Sequence, residues 1–235
     1  MLSLYRNMKN SVRKGDKGEQ EVIKTLNLFK DDSILINNLI LIGDNNISHQ
    51  FDHIFIRHNG VFIIETKNYF GAINGKIDDT YWTKTYPKRG KVYREKFMNP
   101  VKQNSAHIRF LKKILGKDIP FINLVVFVNN DVSHLGIYSV MNLEQLYNRI
   151  WLWESDKTLS LEQMCAINNK LLSLEADIQN DDHVSNIKEL KKEQKEKRQN
   201  MILVIEKGIC PICGNRVQMN KNVYLCPVCK YTLKV

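Results

Sequence analysis

The sequence predicts an α/β domain, a mixed β-sheet flanked by helices, followed by a small C-terminal module. Three observations predict it. A helical apolar pattern precedes three short apolar segments that turn-forming residues separate. A second helical pattern then precedes one more apolar segment, which can pair in parallel with an earlier strand because a helix connects them. Finally, four cysteines near the C-terminus form two CxxC pairs.

The first half of the domain is expected to be a helix followed by a three-stranded meander. The helix is expected from about Lys14 to Phe29, because Val22, Leu26 and Phe29 recur at spacings of three and four residues. The strands are expected in SILINNLILI, HQFDHIFI and GVFIIETK, and HNG forms a tight turn between the last two.

The second half of the domain repeats the change from helix to strand. Helical periodicity restarts after Pro100, and INLVVFVNN is typical of a buried strand. We therefore expect a main domain over residues 11–140 and a helical extension of it over 141–182. The polar, charged segment that follows predicts a helical linker over 183–204, and the cysteine-containing module occupies 205–235.

Composition and charge narrow the possible partners. Hydrophobic residues make up 43% and charged residues 26% of the chain, which is typical of a globular protein. The net charge of +10 favours a polyanionic partner, with nucleic acid first and an anionic membrane surface as the alternative. No apolar run approaches the ~20 residues that span a bilayer, and the N-terminal residues lack the apolar core of a signal peptide. We therefore expect a cytoplasmic protein that does not enter membranes; its oligomeric state is not indicated.

Two carboxylates and a lysine are predicted to meet at one end of the meander. Glu65 and Lys67 are two residues apart, so on a strand their side chains project to the same face. Asp52 lies in the preceding strand, across the HNG turn, at the same end of the sheet. Charged groups at the end of a buried strand are costly unless they pair or bind a metal. The alternative is a structural ion pair between Glu65 and Lys67, or simple solvation of the strand end.

The sequence resembles the NERD domain, a nuclease-related branch of the PD-(D/E)XK superfamily. The matching segments are KGEQEV at 17–22, FDHIFI at 51–56, GVFIIETKN at 60–68 and NPVKQ at 99–103. The resemblance implies a restriction-endonuclease-like fold over roughly residues 14–130. It also implies that Glu19 and Gln103 join Asp52, Glu65 and Lys67 as catalytic residues.

These residue types suit divalent-metal hydrolysis of phosphodiester bonds. Asp52, Glu65 and the backbone carbonyl of Thr66 offer oxygen ligands for Mg²⁺ or Mn²⁺. Lys67 would orient or deprotonate a water molecule, Glu19 would hold an outer-shell water or a second metal, and Gln103 would fix a ligand or a phosphate. We therefore expect a Mg²⁺-dependent nuclease acting on DNA. The alternatives are a non-catalytic nucleic-acid-binding protein and a protein-docking scaffold that keeps the fold.

The four C-terminal cysteines predict a structural zinc site. Cys210 and Cys213 are separated by twelve residues from Cys226 and Cys229, and four thiolates form a closed tetrahedral Zn²⁺ site. An iron site and a redox pair are the alternatives. The segment resembles the C4 zinc finger at the C-terminus of bacterial type I topoisomerases. The fifth cysteine, Cys165, is expected to be a small buried helix residue.

Two basic segments are expected to contact nucleic acid. In the zinc ribbon, Arg216, Lys221 and Lys230 supply charge and Tyr224 can stack on a base, although a ribbon can also be structural or dock a protein. In the main domain, the segment WTKTYPKRGKVYREKF is interpreted as a loop that follows the phosphate backbone, or as a solvated insertion. Its proposed contacts are Lys88, Arg89, Lys91 and Arg94.

Overall fold

The computed structural model describes residues 17–43, 47–175, 199–200, 202–211, 213–220, 223–229 and 232–234. These residues fall in two compact units, Met1–Ala176 and Asp177–Val235. The first unit contains α1 (17–26), β1 (Ser33–Ile42), β2 (Ser48–Arg57), β3 (Gly60–Lys67), β4 (Ala72–Asn74), β5 (Tyr81–Lys88), β6 (Lys91–Met98), α2 (Pro100–Leu115), β7 (Phe121–Phe127), β8 (Val140–Asn142), α3 (Leu143–Trp151) and α4 (Leu161–Leu172). The second unit contains β9 (Gln218–Asn220), β10 (Val223–Leu225) and β11 (Thr232–Lys234).

The central sheet of the first unit has five strands in the order β1-β2-β3-β7-β8. The first three strands form the expected antiparallel meander. β7 then pairs in parallel with β3, and β8 pairs in parallel with β7. Helices cover this sheet, so the predicted α/β class with a mixed sheet flanked by helices is confirmed.

The helices pack on the two faces of the sheet through separate apolar clusters. On one face, Leu111 of α2 and Met164 of α4 pack against Ile54 and Ile63 of the sheet. On the other face, α1 and α3 pack through Val22, Leu26, Leu146 and Ile150 against β2, β3 and β7. Cys165 is exposed, contrary to the expectation, because Met164 and Ile167 occupy the inward face of α4.

The basic segment after β3 is a β-hairpin, so its interpretation as a loop is wrong. β5 and β6 pair along their whole length from Tyr81↔Met98 to Lys88↔Lys91, and β4 completes a separate three-stranded sheet. The two turn residues, Arg89 and Gly90, have φ values of 51° and 72°. Positive φ at both turn positions matches the right-handed twist of a tight hairpin.

The second unit contains a small antiparallel sheet in the order β11-β10-β9. Most of the expected charged linker lies outside the described residues, since 183–198 are not described. The same holds for Lys14 to residue 16 of the first helix. None of the helices within the described residues has the length and the apolar composition of a membrane-spanning segment.

Candidate functional site

The candidate site lies where β2 and β3 stop pairing. Their last paired residues are His53 and Ile64, three residues before β3 ends at Lys67. Beyond that pair, the Thr66 N–H donates a 2.8 Å hydrogen bond to the side-chain Oδ2 of Asp52 instead of to the backbone of β2. Because the N–H and C=O of a strand residue point to the same side, the Thr66 carbonyl also faces Asp52.

A local irregularity in β1 accompanies this separation. The register of β1 with β2 skips Asn38 and Asp52, which lie between the pairs Asn37↔His53 and Leu39↔Phe51. Asn38 has a φ of 54°, which asparagine tolerates better than most residues. Ile36 and Leu39 are three residues apart, so on a regular strand their side chains would project to opposite faces. Both belong to the same core cluster, so β1 changes face at Asn38. The regular sheet is therefore distorted next to Asp52.

Glu65 and Lys67 lie on the same side of β3, as their spacing predicts. Lys67 Nζ lies 2.5 Å from Oε1 of Glu65, and the Glu65 side chain is 5% exposed. The structural ion pair that the sequence left open is therefore present. Burial alone would lower the pKa of Lys67, but the charges of Glu65, Tyr69 and Asp52 outweigh it and hold the pKa above its usual value.

The surroundings of Asp52 disfavour its ionised carboxylate more strongly than Lys67 favours it. Burial, followed by the nearby charge of Glu65, raises the pKa of Asp52 well above its ordinary value, although Lys67 and the Thr66 N–H oppose the shift. Glu19 adds a smaller contribution in the same direction, so it lies within electrostatic reach of Asp52. Three carboxylates and one ammonium group therefore share this part of the protein.

The first turn of α1 packs tightly against the chain that leaves β3. Gly18 is buried, and a Cβ added there would lie 2.7 Å from the Cβ of Asn68, the residue after Lys67. Only a residue without a side chain allows this approach. Gly18 thus fixes the position of α1, and with it that of Glu19, beside the end of β3.

Gln103 lies in the first turn of α2. Asn104 fixes this helix by donating hydrogen bonds to the carbonyls of Ile63 (2.6 Å) and Leu124 (3.1 Å). His107, one turn after Gln103 on the same helix face, packs edge-on against Phe51, next to Asp52. Among the described residues, the side chain of Gln103 makes no hydrogen bond to Glu19, Asp52, Glu65 or Lys67.

His53 is a part of this region that the sequence did not distinguish from a packing residue. Its side chain is fully buried, with Nδ1 2.8 Å from Asn37 Oδ1 and Nε2 3.1 Å from Thr66 Oγ1. Burial lowers the pKa of His53 to about 4. The neutral imidazole therefore links β1 to Thr66, whose N–H contacts Asp52. Its position next to Asp52 was the available sequence signal.

The four C-terminal cysteines meet in a cluster that is compatible with a zinc site. All four sulfur atoms lie within 4.8 Å of one another, and the Cys210–Cys229 and Cys213–Cys226 sulfurs are 3.5 Å apart. A tetrahedron with Zn–S bonds of ~2.3 Å has S···S distances of about 3.8 Å. Among the described residues, this is the only group of three or more His, Cys, Asp or Glu residues whose ligand atoms lie this close together. The carboxylate cluster is looser.

The basic residues proposed for nucleic-acid contact lie partly within the described residues. In the second unit, Arg216 is exposed and Tyr224 is half-buried, whereas Lys221 and Lys230 lie outside the described residues. In the first unit, the four hairpin residues Lys88, Arg89, Lys91 and Arg94 are all exposed.

Comparison with known proteins gives a family resemblance for the first unit. Residues 14–128 match the NERD family, whose description is nuclease-related domain. A Bacillus anthracis protein, described as uncharacterized, is 32% identical over 117 residues, which cover 48% of this chain and 52% of the relative. This chain thus spans about half the length of that relative. No solved structure matches the chain. The site residues from Glu19 to Gln103 lie inside the matched range, and the four cysteines lie outside it.

Proposed function

We propose that this protein, whose residues 14–128 match the nuclease-related domain, is a divalent-metal-dependent nuclease that hydrolyses phosphodiester bonds of DNA. We also propose that its cysteine cluster binds zinc in a ribbon that aids nucleic-acid binding, and that it acts in the cytoplasm. The observation that carries the proposal is the approach of Asp52 to the buried Glu65 and to Lys67, at the point where β2 and β3 separate.

The donor set fits a hard divalent cation. Asp52 and Glu65 offer carboxylate oxygens, and the Thr66 carbonyl faces the same side of the strand as the Thr66 N–H. Oxygen ligands of this kind suit Mg²⁺ or Mn²⁺. Burial, and then the charge of Glu65, raise the pKa of Asp52, and a divalent cation would favour the charged carboxylate instead. A bound Mg²⁺ ion would polarise the phosphodiester and acidify a water molecule.

Lys67 is assigned an electrostatic role rather than that of a base. Because its pKa is raised, the ammonium group keeps its proton near neutral pH. It can therefore donate hydrogen bonds that orient a water molecule, and it can offset negative charge that develops on the phosphate. Glu19 is proposed to hold an outer-shell water or a second metal ion. Gln103 is proposed to bind a ligand or a phosphate from the first turn of α2.

A non-catalytic protein is the alternative, favoured by the Glu65–Lys67 ion pair. A contact of 2.5 Å between these groups satisfies both charges without a metal. In that case the basic surfaces would still bind nucleic acid, through Lys88, Arg89, Lys91 and Arg94 in the hairpin and Arg216, Lys221, Tyr224 and Lys230 in the ribbon. Docking of a protein partner by the ribbon belongs to the same alternative.

The test is cleavage of single- and double-stranded DNA and RNA with and without Mg²⁺ or Mn²⁺. We expect Lys67→Ala and Asp52→Ala each to lower the cleavage rate by at least about a hundredfold, because each removes charge needed at the phosphate. Lys117→Ala is the matched control, since this exposed lysine follows the opposite end of α2. Near-wild-type cleavage by either site variant would show that the site is assigned wrongly. Metal-independent binding without cleavage by the wild type would favour the alternative.

A further inference from the structure

The β5–β6 hairpin concentrates half of the net charge of the chain. Residues 84–96 contain six basic side chains and one acidic side chain, a net charge of +5 against +10 for the whole protein. The single acid, Glu95, is occupied: Lys84 Nζ lies 2.9 Å from it, and the Tyr86 hydroxyl donates a hydrogen bond to it. Among the described residues, the other five cations make no ion pair. They are Lys88, Arg89, Lys91, Arg94 and Lys96.

The base of the hairpin is anchored beside the candidate site. Trp82 and Phe97, which pair across the two strands, pack into the apolar cluster that contains Val125 and Phe127 of β7. Tyr69, two residues after Lys67, lies edge-on to Phe97 with ring centroids 4.9 Å apart. The backbone is equally close, because a Cβ added to Gly71 would lie 2.3 Å from the carbonyl oxygen of Thr85. The hairpin is thus held by the chain that leaves the strand of Glu65 and Lys67.

The tip of the hairpin projects as a two-stranded ribbon. β4 pairs with β5 only as far as Thr85, so the following residues have no third strand. From Thr85 to the turn at Arg89 the ribbon extends by about 14 Å, at ~3.4 Å per residue. The major groove of B-form DNA is ~8.5 Å deep and ~12 Å wide and admits a two-stranded ribbon, whereas the minor groove is only ~6 Å wide.

Cations lie on both faces of this ribbon. Alternation along the strands places Lys88 and Lys91 on the face of Trp82, and Arg94 and Lys96 on the opposite face. A groove is bordered by two phosphate backbones, so a ribbon inside it meets phosphates on both sides. A single strand has one backbone and would use one face only.

The two tyrosines near the tip of the hairpin are poorly placed to bind unpaired bases, whereas Tyr81 is exposed only at its base. Tyr86 and Tyr93 stack on each other with ring centroids 6.0 Å apart, and Lys84 lies over the Tyr86 ring. Proteins that bind single strands usually offer open aromatic faces on which bases stack. Here the rings stiffen the ribbon and the charges remain available for phosphates.

We propose that the β5–β6 hairpin enters the major groove of double-stranded B-form DNA, so that duplex DNA is the substrate that reaches the candidate site. This inference rests on the proposed nuclease function for its meaning, but it can be tested by binding alone. The deep, narrow major groove of duplex RNA cannot admit the ribbon. Preference for duplex DNA over both single-stranded DNA and duplex RNA is therefore expected.

The experiment measures binding to the three nucleic acids without added Mg²⁺ or Mn²⁺, at several salt concentrations. The variant Lys88→Gln/Arg94→Gln removes one cation from each face, and Lys117→Gln/Lys170→Gln, with exposed residues elsewhere, makes the same change in charge. Each lost phosphate contact should weaken duplex DNA binding by about tenfold near 0.1 M salt. It should also reduce by about 0.9 the slope of the logarithm of the binding constant against the logarithm of salt concentration. Binding of single-stranded DNA and duplex RNA should change by less than about threefold. The control should keep the wild-type preference.

Two outcomes would overturn the inference. One is wild-type binding that is as tight for single strands or duplex RNA as for duplex DNA. The other is an equal loss of affinity for all three ligands in the hairpin variant while its melting temperature is unchanged. Binding is measured with Lys67→Ala, and cleavage is measured with the wild type, so that the two proposals can be separated. Preference for duplex DNA without cleavage by the wild type contradicts only the nuclease function. Cleavage without preference for duplex DNA contradicts only the role of the hairpin.

Discussion

His53 shows how one buried side chain can make the stability of this fold depend on pH. Nδ1 lies beside the carbonyl oxygen of the Asn37 side chain, so the proton of a neutral ring belongs on Nδ1. Nε2 then accepts a hydrogen bond from the hydroxyl of Thr66. Protonation of Nε2 would place a donor against that hydroxyl and a charge in a buried position. The low pKa of His53, about 4, follows from this burial.

We predict that the contribution of His53 lowers the free energy of unfolding by about 2 kcal/mol as the pH falls from 7.5 to 5. The unfolded histidine titrates near 6.5 and the folded one near 4, so the contribution is complete above about 6.5 and is lost as the pH falls toward about 4. His53→Gln should make the pH dependence shallower, whereas His58→Gln, in an exposed turn, should not. Urea unfolding followed by tryptophan fluorescence measures both. A His53→Gln profile parallel to that of the wild type would contradict the prediction.

The sequence predicted the residues of the candidate site better than their contacts. Spacing placed Glu65 and Lys67 on one side of a strand and Asp52 near them. The hydrogen bond from Thr66 to Asp52 depends on where β2 and β3 separate, and the change of face at Asn38 accompanies that separation. Such a departure from regular pairing arises from the tertiary structure and has no periodic signal.

Among the secondary-structure elements, α2 has a first turn that is fixed by one buried residue. Asn99 Oδ1 accepts hydrogen bonds from the N–H groups of Val101 (3.0 Å) and Lys102 (3.4 Å). Its Nδ2 lies within 3.3 Å of three loop carbonyls, of which its two hydrogens can satisfy two at a time. Asn99 therefore joins the start of the Gln103 helix to the loop between β4 and β5.

We predict that Asn99→Ala lowers the free energy of unfolding by about 2–4 kcal/mol, because it removes a helix cap and leaves buried carbonyls without donors. Ser160→Ala is the matched control at the exposed cap of α4, where a loss of about 1 kcal/mol is expected. Denaturant unfolding compares the two. Equal effects would mean that Asn99 acts only as an ordinary cap.

The elements that the sequence predicted well are those with a helical apolar pattern or with short runs of apolar residues. α1, β1, β2, β3, α2 and β7 all carry such a pattern and were expected at nearly their observed bounds. The hairpin was not predicted because its many charged side chains are typical of a solvated loop. Trp82, Lys84 and Tyr86 nevertheless occupy every second position, as residues on one face of a strand do. The sequence also did not predict the positive φ of Arg89, because arginine is uncommon at that turn position.

On the scale of the whole molecule, the two units are expected to depend on different interactions. The first has a large apolar core, whereas the second contains a few three-residue strands and the cysteine cluster. A segment this short is stabilised mainly by a bound metal. All three tryptophans of the chain, Trp82, Trp151 and Trp153, lie in the first unit, so their fluorescence reports on that unit alone.

We predict that Cys226→Ser/Cys229→Ser abolishes binding of about one zinc ion per chain and weakens nucleic-acid binding, with a shallower salt dependence. The thermal transition seen by tryptophan fluorescence and the cleavage rate at saturating substrate should be retained. Zinc content, binding and cleavage are compared with those of Cys165→Ser, in which the exposed cysteine outside the cluster is changed. Unchanged affinity and salt slope in the double variant would contradict the binding role of the ribbon.

The parallel pairing of β3 with β7 has a consequence for how this protein is made. The register joins Glu65 to Val125, sixty positions later, so the strand of the candidate site lacks its neighbour until β7 has been synthesised. At ~5–20 residues per second, this takes about 3–12 s. During that interval the apolar edge of β3, with Phe62 and Ile64, is open to pairing with other chains. The newborn chain is therefore most prone to aggregation before β7 pairs with β3, and conditions that slow translation or limit chaperones should reduce the yield of this protein.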